Sequence, residues 1–161
     1  MTKVGVTGHR GLPSTAETQA RRDLRQLLRS LPAPVLGLSS LAIGADQLFA
    51  ELTLELGGAL HAIIPAADFE TTFAPRDQAR YLDLLSQADE VTVLDFLQST
   101  DEAYDAAGRF IVDHCDTLFA VWDGEPARGP GGTADAVSYA RSVGREVLIS
   151  WPHGVLRETE A

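Results

Sequence analysis

The pattern that decides the fold lies in residues Cys115–Ala140, which read CDTLFAVWDGEPARGPGGTADAVSYA. An apolar run, Leu118–Trp122, is typical of a buried strand, and a loop rich in Gly and Pro follows it. Helical spacing of apolar residues then begins at Thr133. The first N–H groups of a helix have no partner within the helix. A strand, a glycine-rich loop and a helix start in this order therefore favour the binding of an anion, such as a phosphate.

The rest of the chain alternates strand-like and helix-like segments in the same way. This alternation predicts a layered α/β fold with a largely parallel sheet of about six strands. The predicted strands are Lys3–Thr7, Pro34–Leu38, Ala59–Ile64, Val91–Leu94, Leu118–Trp122 and Glu146–Ser150. Helices are predicted between them, the last three over Arg76–Gln87, Asp101–His114 and Thr133–Val143.

The first helix is predicted from a start signal and from its apolar spacing. Ser14 followed three residues later by Glu17 fits a capping box. Arginines lie off the apolar stripe of this helix, and we expect them to form a solvated face. They are Arg21, Arg22, Arg25 and Arg29.

Length and charge limit the classes of function. The chain has 161 residues, 45% of them hydrophobic, which suits one domain with a substantial core. Its formal net charge is −10. A large nucleic-acid footprint needs a basic face, so this charge predicts that nucleic acid is an unlikely partner. A small phosphate ligand remains compatible with it, because a helix start and one or two arginines act locally.

The absence of several motifs further limits the functions that this chain can have. Cys115 is the only cysteine, so no internal disulfide can form, which fits a cytoplasmic protein. No segment resembles a signal peptide or approaches the roughly 20 apolar residues of a membrane span, and we expect no membrane contact. Neither CxxC nor HxxxH occurs, so no metal site is expected. GxSxG and GxxxxGK[ST] are also absent, which disfavours the usual hydrolase and P-loop classes.

Three loops are the candidate ligand-binding elements. In parallel α/β sheets, ligands bind beyond the carboxyl ends of the strands, near the point where the strand order reverses. The loops after strands 1, 2 and 5 are all rich in Gly or small polar residues. They span Gly8–Pro13, Ser39–Asp46 and Asp123–Thr133, and we expect them to converge.

The first loop contains the sequence TGHRG. Gly8 would let a ligand approach the backbone, and Arg10 can pair with a phosphate through two parallel hydrogen bonds. His9 can bond to a ligand or to a neighbouring carboxylate. The alternative is a plain turn with an exposed arginine and a structural histidine. The dinucleotide fingerprint GxGxxG is absent here.

The second loop reads SSLAIGAD. Ser39 and Ser40 offer hydroxyl groups, and Gly44 lies where the second helix begins. Asp46 falls in the first turn of that helix. It can bind a ribose hydroxyl, or it can simply interact favourably with the helix dipole.

The third loop returns to the stretch quoted first. Gly129, Gly131 and Gly132 supply space for a ligand, and Thr133 supplies a hydroxyl at the helix start. The alternative is a helix-entry turn that needs glycine only for its backbone conformation. Asp123 can accept a hydrogen bond from a sugar or a base, and Asp135 is either a dipole partner or a polar contact.

The second and third loops resemble motifs of the SLOG superfamily of Rossmann-like proteins. Ser39–Asp46 is similar to the SGLAxGID motif of the DNA-processing group, and Gly129–Thr133 is similar to the PGGxGTxxE motif of the Lonely Guy phosphoribohydrolases. The resemblance implies a single-domain Rossmann-like three-layer sandwich, which we expect over residues 1–152. The polar composition of residues 153–161 predicts a loose tail. It also implies a nucleotide or nucleotide-derived ligand, and often a homodimer.

One departure from the motif favours binding over catalysis. The glutamate of the phosphoribohydrolases falls on Ala136, and Asp135 lies one position short of it. Cleavage of a glycosidic bond needs a carboxylate at the sugar. We therefore predict a cytoplasmic domain that binds a nucleotide or its phosphate, as a sensor does. The alternative is an enzyme that cleaves the N-glycosidic bond of a nucleoside monophosphate, with Asp46, Asp123 or Asp135 as base or stabiliser.

Overall fold

The computed structural model describes residues 1–126 and 132–157. Its strands are β1 (Thr2–Gly8), β2 (Val35–Ser39), β3 (Ala59–Ile64), β4 (Glu90–Val93), β5 (Thr117–Val121) and β6 (Glu146–Ser150). The helices are α1 (Ser14–Ser30), α2 (Ala45–Glu55), α3 (Pro75–Ser86), α4 (Asp101–His114) and α5 (Thr133–Ser142), with a short 3₁₀ helix at Phe69–Thr72. All six predicted strands are confirmed to within one residue at each end.

The six strands form one parallel sheet in the order β4–β3–β2–β1–β5–β6. From β1, strands β2, β3 and β4 are added one after another towards one edge of the sheet. The chain then returns to the centre, and β5 and β6 are added on the other side of β1. The strand order therefore reverses between β1 and β5. As predicted, the loops after β1, β2 and β5 leave neighbouring strands at the same edge of the sheet.

Side chains alternate between the two faces of the sheet and produce two helical layers. Val4 and Val6 of β1 pack in a buried cluster with α1 and α2. Gly5, between them, faces α4, where a Cβ atom would lie 2.4 Å from Ile111 Cγ2. A buried cluster on that second face joins α4 and α5, while α3 packs beside α2 on the first face. The predicted three-layer α/β sandwich is confirmed.

The start of α1 differs from the predicted capping box. Pro13 occupies the N-cap position, and no side-chain hydrogen bond caps the helix within the described part of the chain. Ser14 is already the first helical residue, so its hydroxyl cannot serve as the cap, and Glu17 instead pairs with Arg21 at 3.1 Å. Within the described ranges, none of the helices has the length and apolar character needed to cross a membrane.

Candidate ligand-binding site

Two glycines allow the first two loops to pack directly against each other. At Gly44, where φ is +91°, a Cβ atom would lie 2.2 Å from the carbonyl oxygen of Arg10 and 2.5 Å from that of His9. A Cβ atom at Gly8 would lie 2.3 Å from Ala45 Cβ. The Ala45 N–H also donates to the His9 carbonyl at 3.2 Å. Packing between the loops thus requires both glycines, whether or not a ligand binds.

The Ser39–Asp46 loop is held by hydrogen bonds within itself. Ser39 Oγ accepts from the Leu41 N–H at 3.1 Å and donates to the Asp46 carbonyl at 2.9 Å. Leu41 has a φ of +62°, and its carbonyl accepts from Gln47 Nε2 at 3.1 Å. The Ala42 N–H donates to Asp46 Oδ2 at 3.3 Å. Ser39 and Asp46, both predicted ligand contacts, therefore help to shape the loop.

The Asp46 carboxyl group titrates close to neutral pH. Burial raises the pKa of Asp46 to about 7, because an ionised carboxylate loses hydration there. The hydrogen bond from Ala42 and the charge of Arg10 lower the pKa, but they only partly offset the burial. Asp46 can consequently exchange a proton near pH 7, which is the behaviour expected of a general acid or base.

Asp123 lies in a different environment at the same edge of the sheet. Arg157 Nε donates to Asp123 Oδ2 at 2.5 Å, and Arg157 Nη2 donates to Oδ1 at 2.7 Å. The two side chains are 12% and 3% exposed, respectively. On the other side, His9 Nε2 lies 3.3 Å from Asp123 Oδ1 and accepts from the Asp123 N–H at 3.3 Å. The carboxylate predicted to contact a sugar or base is thus already bonded within the protein.

These partners keep Asp123 ionised. Burial acts to raise the pKa of Asp123, but the hydrogen bonds from Arg157 and from the Glu125 N–H outweigh it, aided by the positive charge of Arg157. The net result is a pKa below the usual range for an aspartate. Asp123 therefore has little capacity to act as a general acid or base at neutral pH.

Sequence reasoning missed Arg157, which lies in the segment expected to be a polar tail. Trp151, directly after β6, contacts the His9 ring edge-on at a centroid distance of 5.4 Å. Its Nε1 donates to the Val155 carbonyl at 2.7 Å, which bends the chain back towards the site. One signal was available in the sequence. A carboxylate placed directly after a buried strand, as Asp123 is, needs a partner, and an arginine meets that need best.

The other predicted site residues that the structure describes differ in their exposure to solvent. Arg10 is exposed, with its guanidinium 5.5 Å from the centre of the Tyr104 ring. Ser40 and Gly132 are half-buried, and Thr133 is buried at the start of α5. No side chain of the described residues caps this helix. Gly129 and Gly131 lie outside the residues that the structure describes.

Asp135 and Ala136, the two residues at or next to the position of the expected glutamate, both lie in α5. Asp135 is exposed in the first turn of α5. Ala136, at the position of the expected glutamate, lies next to Gly108 of α4, where a Cβ atom would come within 3.8 Å of Ala136 Cβ. Within residues 1–126 and 132–157, no three His, Cys, Asp or Glu side chains are grouped as a metal site requires.

Solved structures share this fold. DNA processing protein A from Streptococcus pneumoniae is similar with a TM-score of 0.71 and 22% identity, over 92% of this chain and 50% of that one. DNA processing protein A from Helicobacter pylori is similar with a TM-score of 0.67 and 16% identity, over 92% of this chain and 64% of that one. The molybdenum cofactor binding protein of Rippkaea orientalis is similar with a TM-score of 0.59 and 19% identity, over 92% of this chain and 75% of that one. No protein-family profile and no curated protein matches the sequence.

These comparisons define the class of protein at the level of the fold. The chain has the Rossmann-like α/β fold of these proteins, which is the fold that the resemblance of its loops implies. It spans half the length of the S. pneumoniae protein. At identities of 16–22% the likeness establishes the fold alone.

The prediction that nucleic acid is an unlikely partner is wrong. The H. pylori protein, which has this fold, binds single-stranded DNA. The prediction rested on the net charge of −10, which averages over the whole surface. Phosphate groups respond mainly to charges within a Debye length, about 8–10 Å in physiological salt, so the total charge does not decide the matter.

Proposed function

We propose that this protein binds a nucleotide or nucleotide derivative through its phosphate, at the edge formed by the loops after β1, β2 and β5. One observation carries the proposal. Arg10 is an exposed cation on a loop whose backbone is fixed against the start of α2 by the Ala45–His9 hydrogen bond and by the contact at Gly44. A guanidinium held beside the positive end of a helix is well placed to receive a phosphate.

The remaining groups of the site suit the other parts of such a ligand. Gly132 and Thr133 begin α5 at the same edge, and the first N–H groups of that helix can bond to a second phosphate oxygen. Ser40 directly follows β2 and offers a hydroxyl group, and the Tyr104 ring, which contacts Arg10, offers an aromatic surface. In this proposal Ser39, Asp46 and Asp123 support the loops, and they do not contact the phosphate.

Titration calorimetry with AMP, ATP, ADP-ribose and NAD tests the proposal. We expect at least one of them to bind, and Arg10→Ala to weaken that binding by about tenfold, the loss of one charge-assisted contact worth about 1.4 kcal/mol. Arg141→Ala is the matched control, because Arg141 is an exposed arginine in the last turn of α5, away from the three loops. Absence of binding by all four compounds, or equal affinity of the Arg10→Ala variant, would refute the proposal.

A second candidate function is cleavage of the N-glycosidic bond of a nucleoside monophosphate. The observation in its favour is the pKa of about 7 at Asp46, which suits a proton-transfer group at neutral pH. Asp123 is less suited, because Arg157 holds it ionised. Release of free base from AMP or CMP measures the activity. We expect Asp46→Asn to abolish any such release, and turnover that survives this change would exclude Asp46 from the chemistry.

A further inference from the structure

The guanidinium of Arg157 holds more than the Asp123 carboxylate. Besides the two bonds to that carboxylate, Arg157 Nη2 donates to the carbonyls of Glu125, at 3.2 Å, and Pro126, at 3.3 Å. One side chain from the segment after β6 therefore fixes both the side chain of Asp123 and the backbone up to Pro126. These residues form the start of the loop that leads to Gly132 and α5.

Asp123 transmits this restraint to the first loop. Its N–H donates to His9 Nε2 at 3.3 Å. The His9 N–H in turn donates to the Val121 carbonyl at 3.2 Å, and the His9 carbonyl accepts from Ala45. Arg10 is the next residue along the chain. A continuous set of contacts therefore runs from Arg157 through Asp123 and His9 to the loop that carries the exposed cation.

We propose that Arg157 is a positioning residue for the phosphate site. It acts through Asp123 and His9 and does not touch the ligand, and the inference rests on the proposed function. An arginine suits this task because its planar group bonds to two carboxylate oxygens and to backbone carbonyls at the same time. A lysine keeps the positive charge but lacks the fork that reaches all four acceptors.

The test compares the variants Arg157→Lys and Arg157→Ala with the control Arg141→Ala. For each protein, AMP affinity is measured by calorimetry and amide hydrogen exchange by NMR. Circular dichroism first confirms that each variant is folded. In Arg157→Ala we expect the Asp123 and Glu125 amides to exchange about tenfold faster, because local opening exposes them. We expect AMP affinity to fall by about tenfold, although Arg10 is unchanged. Arg157→Lys should retain part of the amide protection and part of the AMP affinity that Arg157→Ala loses. The control Arg141→Ala should change neither the exchange rates nor the affinity.

The two measurements separate the inference from the proposed function. If the wild-type protein does not bind AMP or the other nucleotides, the proposed function fails, while the exchange rates still decide whether Arg157 fixes the loop. Unchanged exchange at Asp123 and Glu125 in Arg157→Ala would overturn the inference. Faster exchange with an AMP affinity equal to that of the wild type would also overturn it, because Arg157 would then stabilise the loop without positioning the site.

Discussion

Asp46 and Asp123 occupy the same edge of the sheet, and their carboxyl groups behave in opposite ways. Burial acts to raise the pKa of both. Asp46 accepts a backbone N–H bond from Ala42 and feels the charge of Arg10, and its pKa rises to about 7. Asp123 accepts two bonds from Arg157, and its pKa falls below the usual range. At Asp123 the hydrogen bonds from a cation outweigh the effect of burial, whereas at Asp46 burial outweighs the Ala42 hydrogen bond and the charge of Arg10.

The comparison also assigns different tasks to the two residues. Asp123, ionised at neutral pH, serves as an anchor between Arg157 and His9. Asp46 keeps the capacity to change protonation state near neutral pH while it supports the Ser39–Asp46 loop. If this site performs chemistry on a ligand, Asp46 is therefore the stronger candidate for the reacting carboxyl group.

The largest loss of stability is expected from a substitution that disrupts the packing of the Ser39–Asp46 loop, which contains Asp46. In Gly44→Ala the new Cβ atom would meet the Arg10 carbonyl at 2.2 Å, and alanine is strained at a φ of +91°. We expect a loss of about 4 kcal/mol in the free energy of unfolding, the sum of overpacking and backbone strain. Gly57→Ala is the matched control, since its φ is +85° and no atom lies within 4 Å of the new Cβ. It should cost only about 1 kcal/mol, and equal losses measured by urea denaturation would contradict the account.

Removing the cation should make Asp123 resemble Asp46. Arg157→Ala leaves a carboxylate that is 3% exposed without its bidentate partner. We expect a loss of about 3 kcal/mol in stability at pH 7, the typical cost of breaking a buried ion pair from one side. The double variant Asp123→Asn/Arg157→Ala should recover part of that loss, because no unpaired charge is then buried. Additive losses in this cycle would show that the two side chains do not interact.

The contributions of Asp46 and Asp123 to the free energy of unfolding should depend on pH in opposite ways. Asp46 has a raised pKa in the folded state, so the unfolded chain releases this proton first, and the contribution of Asp46 to stability falls as pH rises from about 4 to about 7. Asp123 has a lowered pKa, so its contribution is present above about pH 4 and is lost as pH falls through its folded value. Urea denaturation of Asp46→Asn between pH 4.5 and 8 should show a smaller decrease than the wild type. An unchanged slope would contradict the assignment.

The smallest effect on stability is expected at Arg10. Its side chain is exposed and contacts the Tyr104 ring at 5.5 Å, so Arg10→Ala should cost about 0.5 kcal/mol in the free energy of unfolding. The same change should raise the pKa of Asp46 slightly, since Arg10 lowers it. NMR titration of the Asp46 carboxyl carbon measures that shift. A destabilisation above about 2 kcal/mol would show that Arg10 is mainly structural.

The sheet was predictable from the sequence, while the contacts between its loops were only partly so. Short apolar runs bounded by Gly and Pro located every strand to within one residue, and the rule for parallel sheets brought the three loops to one edge. Periodicity carries no information about a contact between Asp123 and Arg157, which are 34 residues apart. It also cannot tell that Gly44 serves to admit the carbonyl of Arg10. Similarly, the capping box at Ser14 was overridden by Pro13, which moved the helix start by one position.

The most direct test of the central claim is an NMR titration of the isotope-labelled protein with AMP. We predict saturable shifts in the amides of Arg10, Ser40, Gly132 and Thr133 with a single affinity, which Arg10→Ala weakens by about tenfold. Shifts that saturate elsewhere, such as on the arginine face of α1, would contradict the proposal, as would the absence of any shift at these four amides when ATP, ADP-ribose and NAD, as well as AMP, are titrated to millimolar concentration.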